Sequence, residues 1–114
     1  MNIEKTIIQY LSGKLNIPVY GERPNMSDAP GEFITVEKTG GKTVNHIRTS
    51  DLAIQSWSTS RLNASELNEK VIEAMEYAAE LSVISHCRCE NNYNYTDLTT
   101  KRPRYQALFE VVHD

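Results

Sequence analysis

The chain has 114 residues, 39% of them hydrophobic and 24% charged, and a formal net charge of -3. This length and composition indicate one globular domain with a single core, and they exclude a disordered or membrane-embedded chain. The net negative charge argues against a general binder of nucleic acid or anionic membranes, which needs a dense field of Lys and Arg. Because no apolar stretch is long enough for a transmembrane helix or a signal peptide, we expect the protein to remain in the cytosol where it is made.

The first residues predict a short amphipathic helix and then a brief strand. Ser12-Gly13 is expected to end or fray the helix, because Gly is the usual residue just past a helix terminus. The strand is IPVY, residues 17–20, in which the proline favours extended backbone. An irregular surface loop rich in Pro and Gly follows. One side of the helix carries the apolar residues Ile3, Ile7, Ile8, Leu11 and Leu15.

A β-hairpin is predicted next. The run FITVEK, residues 33–38, is rich in β-branched residues, and Gly40-Gly41 is expected to form the tight turn. The segment Gly40-Gly41-Lys42-Thr43 also imitates the end of a phosphate-binding loop. It lacks the earlier glycine and a following helix, which favours the turn. We expect the polar segment over residues 39–50 to project as a hairpin or loop.

The chain is organised around residues 51–81, which predict a strand followed by the most amphipathic helix. DLAIQSWS alternates as a strand does when its side chains point to opposite faces of a sheet. Ser60 is one candidate N-cap, for a helix that starts near Arg61, and Asn63 with Glu66 offers a later start. We expect the apolar stripe of the helix to face the sheet. The stripe comprises Ala64, Leu67, Val71, Ile72, Met75, Ala78 and Ala79.

Two residues of this helix depart from the pattern. Asn68 lies inside the apolar stripe and needs a hydrogen-bond partner, which the sequence does not identify. Tyr77 lies on the charged side near Lys70 and Glu73. Exposed aromatic residues are enriched at protein interfaces, although single exposed tyrosines are also common.

Two more strands are predicted, over residues 83–90 and over the alternating run 105–112, with a polar connector between them. Cys87 and Cys89 leave the same face of the first of these strands, and we interpret them as packing residues. The alternative is a metal site that adds His86 and a distant His46 or His113. The elements in order predict an α+β fold, α-β-β-β-α-β-β, with a mainly antiparallel sheet and both helices on one face.

The sequence contains no catalytic signature, so we expect no enzyme activity and no cofactor. No G-x-S-x-G motif is present, and Asp51, Glu90 and Asp97 are interpreted as solvated carboxylates. The dense basic cluster Lys101-Arg102-Pro103-Arg104 is either a solvated start of the last strand or a contact for a phosphate or a protein. Tyrosines near the cluster could stack on single-stranded nucleic acid, but tyrosines are also ordinary sheet residues.

The order of these motifs resembles a known family. The order comprises an N-terminal amphipathic helix, an IPVY-type strand, FITVEKTGG, a strand ending in IQSWSTS, a helix with RLNASEL and a late YTDLTTKRPRYQALFEV. Together these resemble the small tail-terminator and tail-completion proteins of long-tailed bacteriophages and prophages. The resemblance runs from Ile3 to Val112. Its most specific pieces are the segment Gln55-Ser56-Trp57-Ser58 with the following helix and the pairing of Asp97 with Arg104-Tyr105.

The resemblance implies a non-enzymatic virion protein, assembled in the cytoplasm of the bacterial host. Such proteins have an α+β fold, form a hexameric ring, cap the tail tube and connect it to the head. The implied partners are further copies of the chain, the tail-tube protein and the head-completion protein. No membrane and no sequence-specific nucleic acid are implied, although DNA passes through the ring. The alternatives are a small adaptor or binding module encoded by a prophage or mobile element, and a nucleic-acid or nucleotide enzyme that uses residues 101–104.

A head-to-tail ring needs two different complementary patches on each subunit. We expect the hairpin over residues 39–49 to form one patch and the charged side of the long helix to form the other. The basic cluster supplies two further candidates for an interface. The expected interface residues are Gly40, Gly41, Lys42, Lys70, Glu73, Tyr77, Arg102 and Arg104.

Overall fold

The computed structural model describes all 114 residues and contains the predicted elements in the predicted order. The α+β fold class is therefore confirmed. A short 3₁₀ turn, Ala78–Glu80, follows the second helix. The helices and strands are α1 (Ile3–Leu15), β1 (Val19–Tyr20), β2 (Phe33–Val44), β3 (Ile47–Trp57), α2 (Arg61–Glu76), β4 (Ile84–Asn94) and β5 (Arg104–His113).

The strands form one five-stranded sheet in the order β1-β2-β3-β5-β4. The pairings β2–β3, β3–β5 and β4–β5 are antiparallel, whereas β1 pairs with β2 in parallel. The sheet is therefore mixed. The parallel pair is feasible because residues 21–32 form a connection long enough to return the chain to the same end of the sheet.

Both helices pack on one face of the sheet, as predicted. Their apolar stripes and the inward side chains of β2 to β5 form a single hydrophobic core. Asn2 caps α1, and the side chain of Ser60 accepts a hydrogen bond from the backbone of Asn63, so the earlier predicted start of α2 is right. The largest apolar members of the core are Ile3, Ile7, Leu11, Ile34, Leu52, Ile54, Leu67, Met75, Ile84 and Phe109.

The second helix ends earlier than its apolar stripe predicts. It stops at Glu76, Tyr77 is its C-cap, and the chain continues as the 3₁₀ turn. Ala78 is still buried, but Ala79 is exposed, because the tighter 3₁₀ winding rotates it away from the sheet. Asn92 of β4 provides one partner for Asn68: its side-chain oxygen accepts a hydrogen bond from the Asn68 amide nitrogen at 3.1 Å, whereas the buried side-chain oxygen of Asn68 is unpaired.

The hairpin turn is not at Gly40-Gly41, which corrects the prediction. Gly40 and Gly41 lie inside β2 and pair with Asp51 and Ser50 of β3. The turn is Asn45-His46, where φ is 52° and 66°. Two successive positive φ values define the two-residue turn that matches the twist of a hairpin, and asparagine tolerates this region better than most residues.

The polar connector before the last strand is shorter than predicted. The strand predicted over residues 83–90 extends to Asn94, and residues 91–94 pair with residues 105–108 of β5. Asparagine disfavours strands, but a place beside a long neighbouring strand outweighs this weak preference. The connector is therefore residues 95–103, which contain Asp97 and the basic cluster.

Candidate interaction surfaces

Lys70, Glu73 and Tyr77 lie together at the end of α2, where they border a groove of about 390 Å³ between the two helices. Tyr77 is 59% exposed. The other wall comes from the last turn of α1 and from the 3₁₀ turn, which the sequence did not associate with this surface. The groove is lined by Lys14, Leu15, Lys70, Glu73, Ala74, Tyr77 and Glu80.

Two polar contacts hold the walls of this groove in place. The Tyr10 hydroxyl donates to the backbone carbonyl of Ala74 at 2.7 Å, so it fixes α1 to the last turn of α2. Burial, followed by the negative charge of Glu80, raises the pKa of Tyr10 to about 12, and the hydroxyl therefore stays a donor at neutral pH. Lys14 and Glu80 form an exposed ion pair at 3.3 Å across the same junction. We call this surface the helix groove.

The outer side of α2 is acidic. Glu66, Glu69, Glu73 and Glu76 are all exposed, and their spacing places them along one side of the helix. None of these four carboxylates forms an ion pair within the chain. The only exposed basic residue among them is Lys70. The lining of the helix groove itself is balanced, with Lys14 and Lys70 beside Glu73 and Glu80, whereas the exposed side of α2 next to it carries an excess of negative charge.

The hairpin tip is the second exposed surface. Every residue from Gly41 to Arg48 is exposed, because neither helix covers this end of the sheet and β5 stops opposite Arg48. Val44 and Ile47 face each other beside the turn and are 55% and 57% exposed. An exposed pair of apolar side chains at a projecting tip is typical of a contact surface.

Gly41 has a structural reason to be glycine that differs from a turn. A Cβ atom at this position would lie 2.8 Å from the backbone carbonyl oxygen of Thr49 on the opposite strand. The chain is also irregular between Lys38 and Gly40, where the pairing register shifts by a β-bulge. Gly40 and Gly41 thus shape the hairpin that carries Lys42 rather than offering side chains of their own.

Arg102 and Arg104, in contrast, are engaged inside the chain. The Arg102 guanidinium donates to the carbonyl oxygens of Pro30 and Gly31 and lies 5.2 Å from the ring centroid of Phe33. Arg104 lies between Trp57 and Tyr95, at 4.8 and 4.2 Å from their ring centroids, and donates to the Tyr95 carbonyl at 2.6 Å. Both side chains are half-buried, and their contacts hold the loop 21–32 and the connector 95–103 against the sheet.

Arg104 connects the two most specific pieces of the family resemblance. Trp57 pairs directly with Arg104, and Ser56 pairs with Tyr105. Trp57 is fully buried and stacks on Phe33 with a centroid distance of 5.3 Å. The segments around residues 55–58 and 97–105, far apart in sequence, therefore form one continuous cluster on the face of the sheet that the helices leave uncovered.

Asp97 ties the connector 95–103 to this cluster. Its carboxylate accepts hydrogen bonds from the hydroxyl of Thr100 and the backbone of Thr99, and it forms an ion pair with Arg23 at 3.2 Å. The hydrogen bond from Thr100 is the main reason that the pKa of Asp97 is lowered. The predicted solvated carboxylate is in fact buried, and it joins the connector to the loop 21–32.

A ladder of polar side chains crosses the same face of the sheet. Thr35 donates to Gln55 at 3.2 Å, Gln55 donates to Gln106 at 2.8 Å, and Gln106 donates to the Tyr93 hydroxyl at 2.6 Å. These residues stand directly opposite one another on β2, β3, β5 and β4. The sequence could not reveal the ladder, because it depends on the register of four strands.

Residues with catalytic or metal-binding chemistry are placed apart or buried. Cys87 and Cys89 are half-buried free thiols that pack on the core, and burial raises the pKa of Cys87 to about 12. No group of three or more His, Cys, Asp or Glu side chains is arranged to hold a metal ion. The Ser50 hydroxyl lies 2.7 Å from Nε2 of His113, a contact that sequence reasoning missed. Both residues are buried in the sheet, where each satisfies the other.

Comparison with known proteins leaves the family of this chain open. The chain matches no protein-family model, and no curated protein matches it. Neither α1 nor α2 has the length and apolar character that a membrane-crossing helix requires.

Proposed function

We propose that the chain is a structural virion protein, a tail terminator or neck component that forms a ring, caps the tail tube of a long-tailed bacteriophage and joins it to the head. The observation that carries the proposal is the contact between the two motifs on which the resemblance rests. Trp57 and Arg104 are paired across β3 and β5 and stack on each other. Two motifs that contact each other in the fold support an architecture shared with the tail-terminator family better than two motifs that only occur in the same order along the chain.

The exposed surfaces give the proposal a physical route to assembly. A closed ring of identical subunits in head-to-tail contact needs two different patches, one for each neighbour. The hairpin tip has exposed apolar side chains and the basic residues Lys42 and Arg48, whereas the helix groove lies on an acidic helix. The two surfaces differ in shape and charge, as a head-to-tail contact requires.

The proposed protein acts by binding and has no chemical step. Its partners are further copies of itself in a hexameric ring, the tail-tube protein on one side and the head-completion protein on the other. DNA passes through the ring and is not read by sequence. The proposed location is the virion, after assembly in the cytoplasm of the bacterial host.

The proposal is tested with the purified full chain and with tail tubes assembled from a tail-tube protein of the same genome. We expect native mass spectrometry to detect a closed oligomer at high protein concentration, and electron microscopy to show a ring at the tube end. A chain that stays monomeric at every concentration and binds no tail tube would overturn the proposal. That result would favour the adaptor or binding-module alternative.

Tyr77→Ala separates assembly from folding in the same assays. Because the Tyr77 side chain is 59% exposed, its removal should change the free energy of unfolding by less than about 0.5 kcal/mol. Ring formation should weaken, since Tyr77 lines the helix groove. If Tyr77→Ala instead lowered the unfolding temperature by several degrees as well as ring formation, Tyr77 would be a residue of the folded core.

A further inference from the structure

The register of the hairpin separates its two faces. Lys42 stands opposite Thr49 and Val44 stands opposite Ile47, so these four residues share the face that the helices do not cover. Arg48 stands opposite Thr43 and points to the other face, where it borders a cleft with the first residues of α1. Only one face of the tip therefore combines exposed apolar side chains with a free basic residue.

The helix groove offers matching chemistry. Leu15 and the ring of Tyr77 supply apolar surface above the buried Ala74, and Glu73 and Lys70 lie at the border of the groove. Glu73 forms no ion pair within the chain, and neither does Lys42. Lys42 beside an apolar pair on one surface and Glu73 beside apolar residues on the other are complementary, and the unpaired Lys70 is outnumbered by the four glutamates on the exposed side of α2.

The charges around each surface extend this complementarity. Residues 39–49 contain Lys42 and Arg48 but no Asp or Glu. The exposed side of α2 between residues 66 and 76 has four glutamates and one lysine. Opposite charges on two surfaces favour their encounter, whereas two copies of the same surface repel each other. The pattern therefore favours head-to-tail contact over a two-fold dimer through either surface alone.

We propose that the occupant of the helix groove is the hairpin tip of a second copy of this chain, with Lys42 paired to Glu73 and with Val44 and Ile47 against Leu15 and Tyr77. This inference rests on the proposed ring and specifies the contact that closes it. Each subunit donates its tip to one neighbour and accepts the tip of the other neighbour. The contact is heterologous and repeats around the ring.

Charge reversal at matched positions tests the contact. Lys42→Glu and Glu73→Lys should each raise the concentration needed for ring formation by roughly tenfold or more, because like charges then meet across the contact. Arg48→Glu and Glu69→Lys are the controls. They make the same charge changes on the same elements but outside the proposed contact, so they reduce only the general attraction between the two surfaces and should raise that concentration much less. All four residues are exposed, so the thermal unfolding of each variant should match the parent chain.

The double variant Lys42→Glu with Glu73→Lys gives the decisive result, because it exchanges the two charges and should restore ring formation. A double variant no better than either single variant would overturn the contact. So would a single variant that assembles like the parent chain, or controls that lose the ring equally. Those results leave the ring itself intact, whereas a parent chain that never forms a ring would overturn the proposed function instead.

Discussion

The two faces of the sheet are stabilised in different ways. The face under the helices is covered by aliphatic side chains and Phe109, which form one core with α1 and α2. The opposite face buries Phe33 and Trp57 under two irregular segments, residues 21–32 and 95–103, which Arg102 and Asp97 hold in place. Burial of apolar area is non-directional and tolerates small shifts, whereas hydrogen bonds and stacked guanidinium groups require fixed geometry.

One face therefore mainly stabilises the domain, and the other mainly fixes the register of the strands. The helix-covered face supplies most of the hydrophobic area that keeps the domain folded. The ladder of Thr35, Gln55, Gln106 and Tyr93 on the other face fixes the register of four strands, because each side chain must meet the next. Since β2 and β3 carry the hairpin, the same register sets the position of its tip.

The largest effect is expected on the helix-covered face. Met75 is fully buried, so Met75→Asp places an unpaired charge in the core, which costs several kcal/mol and should unfold the domain. Circular dichroism during thermal unfolding measures the loss. Leu62→Asp is the control on the same helix, because Leu62 is exposed and its variant should remain folded. A Met75→Asp variant of normal stability would show that this side of α2 does not face the sheet.

Trp57→Ala tests whether the opposite face also carries a core. Trp57 is fully buried between Phe33 and Arg104, and its truncation should lower the free energy of unfolding by about 3–5 kcal/mol. Denaturant unfolding gives the value. Leu98→Ala changes an exposed residue of the covering connector and should have little effect. A cost below about 1 kcal/mol for Trp57→Ala would mean that the loops cover this face only loosely.

Gln106→Leu tests the polar ladder. The change keeps the side-chain volume roughly constant but leaves the Gln55 amide and the Tyr93 hydroxyl without a partner, at a cost of about 1–3 kcal/mol. Hydrogen exchange should also speed up in β3 and β4 if the ladder fixes their register. Gln9→Leu, on the exposed side of α1, is the matched control. If the free energy of unfolding and the exchange rates in β3 and β4 did not change, the ladder would not contribute to the stability or the register of the sheet.

The parts of the fold that depend on local periodicity were predictable from the sequence. The apolar stripe of α2 and its Ser60 cap involve residues within a few positions of one another. The hairpin turn was misplaced because two turn signals compete within seven residues. Gly41 avoids the Thr49 carbonyl in a strand, whereas Asn45 and His46 adopt the positive φ of the turn, and a sequence does not distinguish these two reasons for a residue choice.

The candidate surfaces were predictable only in part. Helical spacing placed Tyr77 near Lys70 and Glu73, and the structure brings all three to one groove. The second wall of the groove, Lys14 and Leu15, depends on how α1 crosses α2, which no local pattern encodes. The contacts of Arg102 with Pro30 and of Asp97 with Arg23 were not predictable for the same reason. Their partners lie more than sixty residues away in sequence.

The smallest effect concerns the pH dependence of the connector that covers Trp57. The pKa of Asp97 is lowered from its ordinary value of 3.8, mainly because Thr100 donates a hydrogen bond to the carboxylate. A lowered pKa in the folded state means that the ionised carboxylate stabilises the fold above pH 3.8 and that this contribution is lost as the pH falls through the lowered value. Asp97→Asn should therefore cost about 1 kcal/mol at neutral pH, the scale of one hydrogen bond, and nothing at the lowest pH. Urea unfolding at several pH values measures both, with Asp28→Asn in the exposed loop as the control. If the cost were the same at every pH, the ionised carboxylate would not be what holds the connector over the helix-free face.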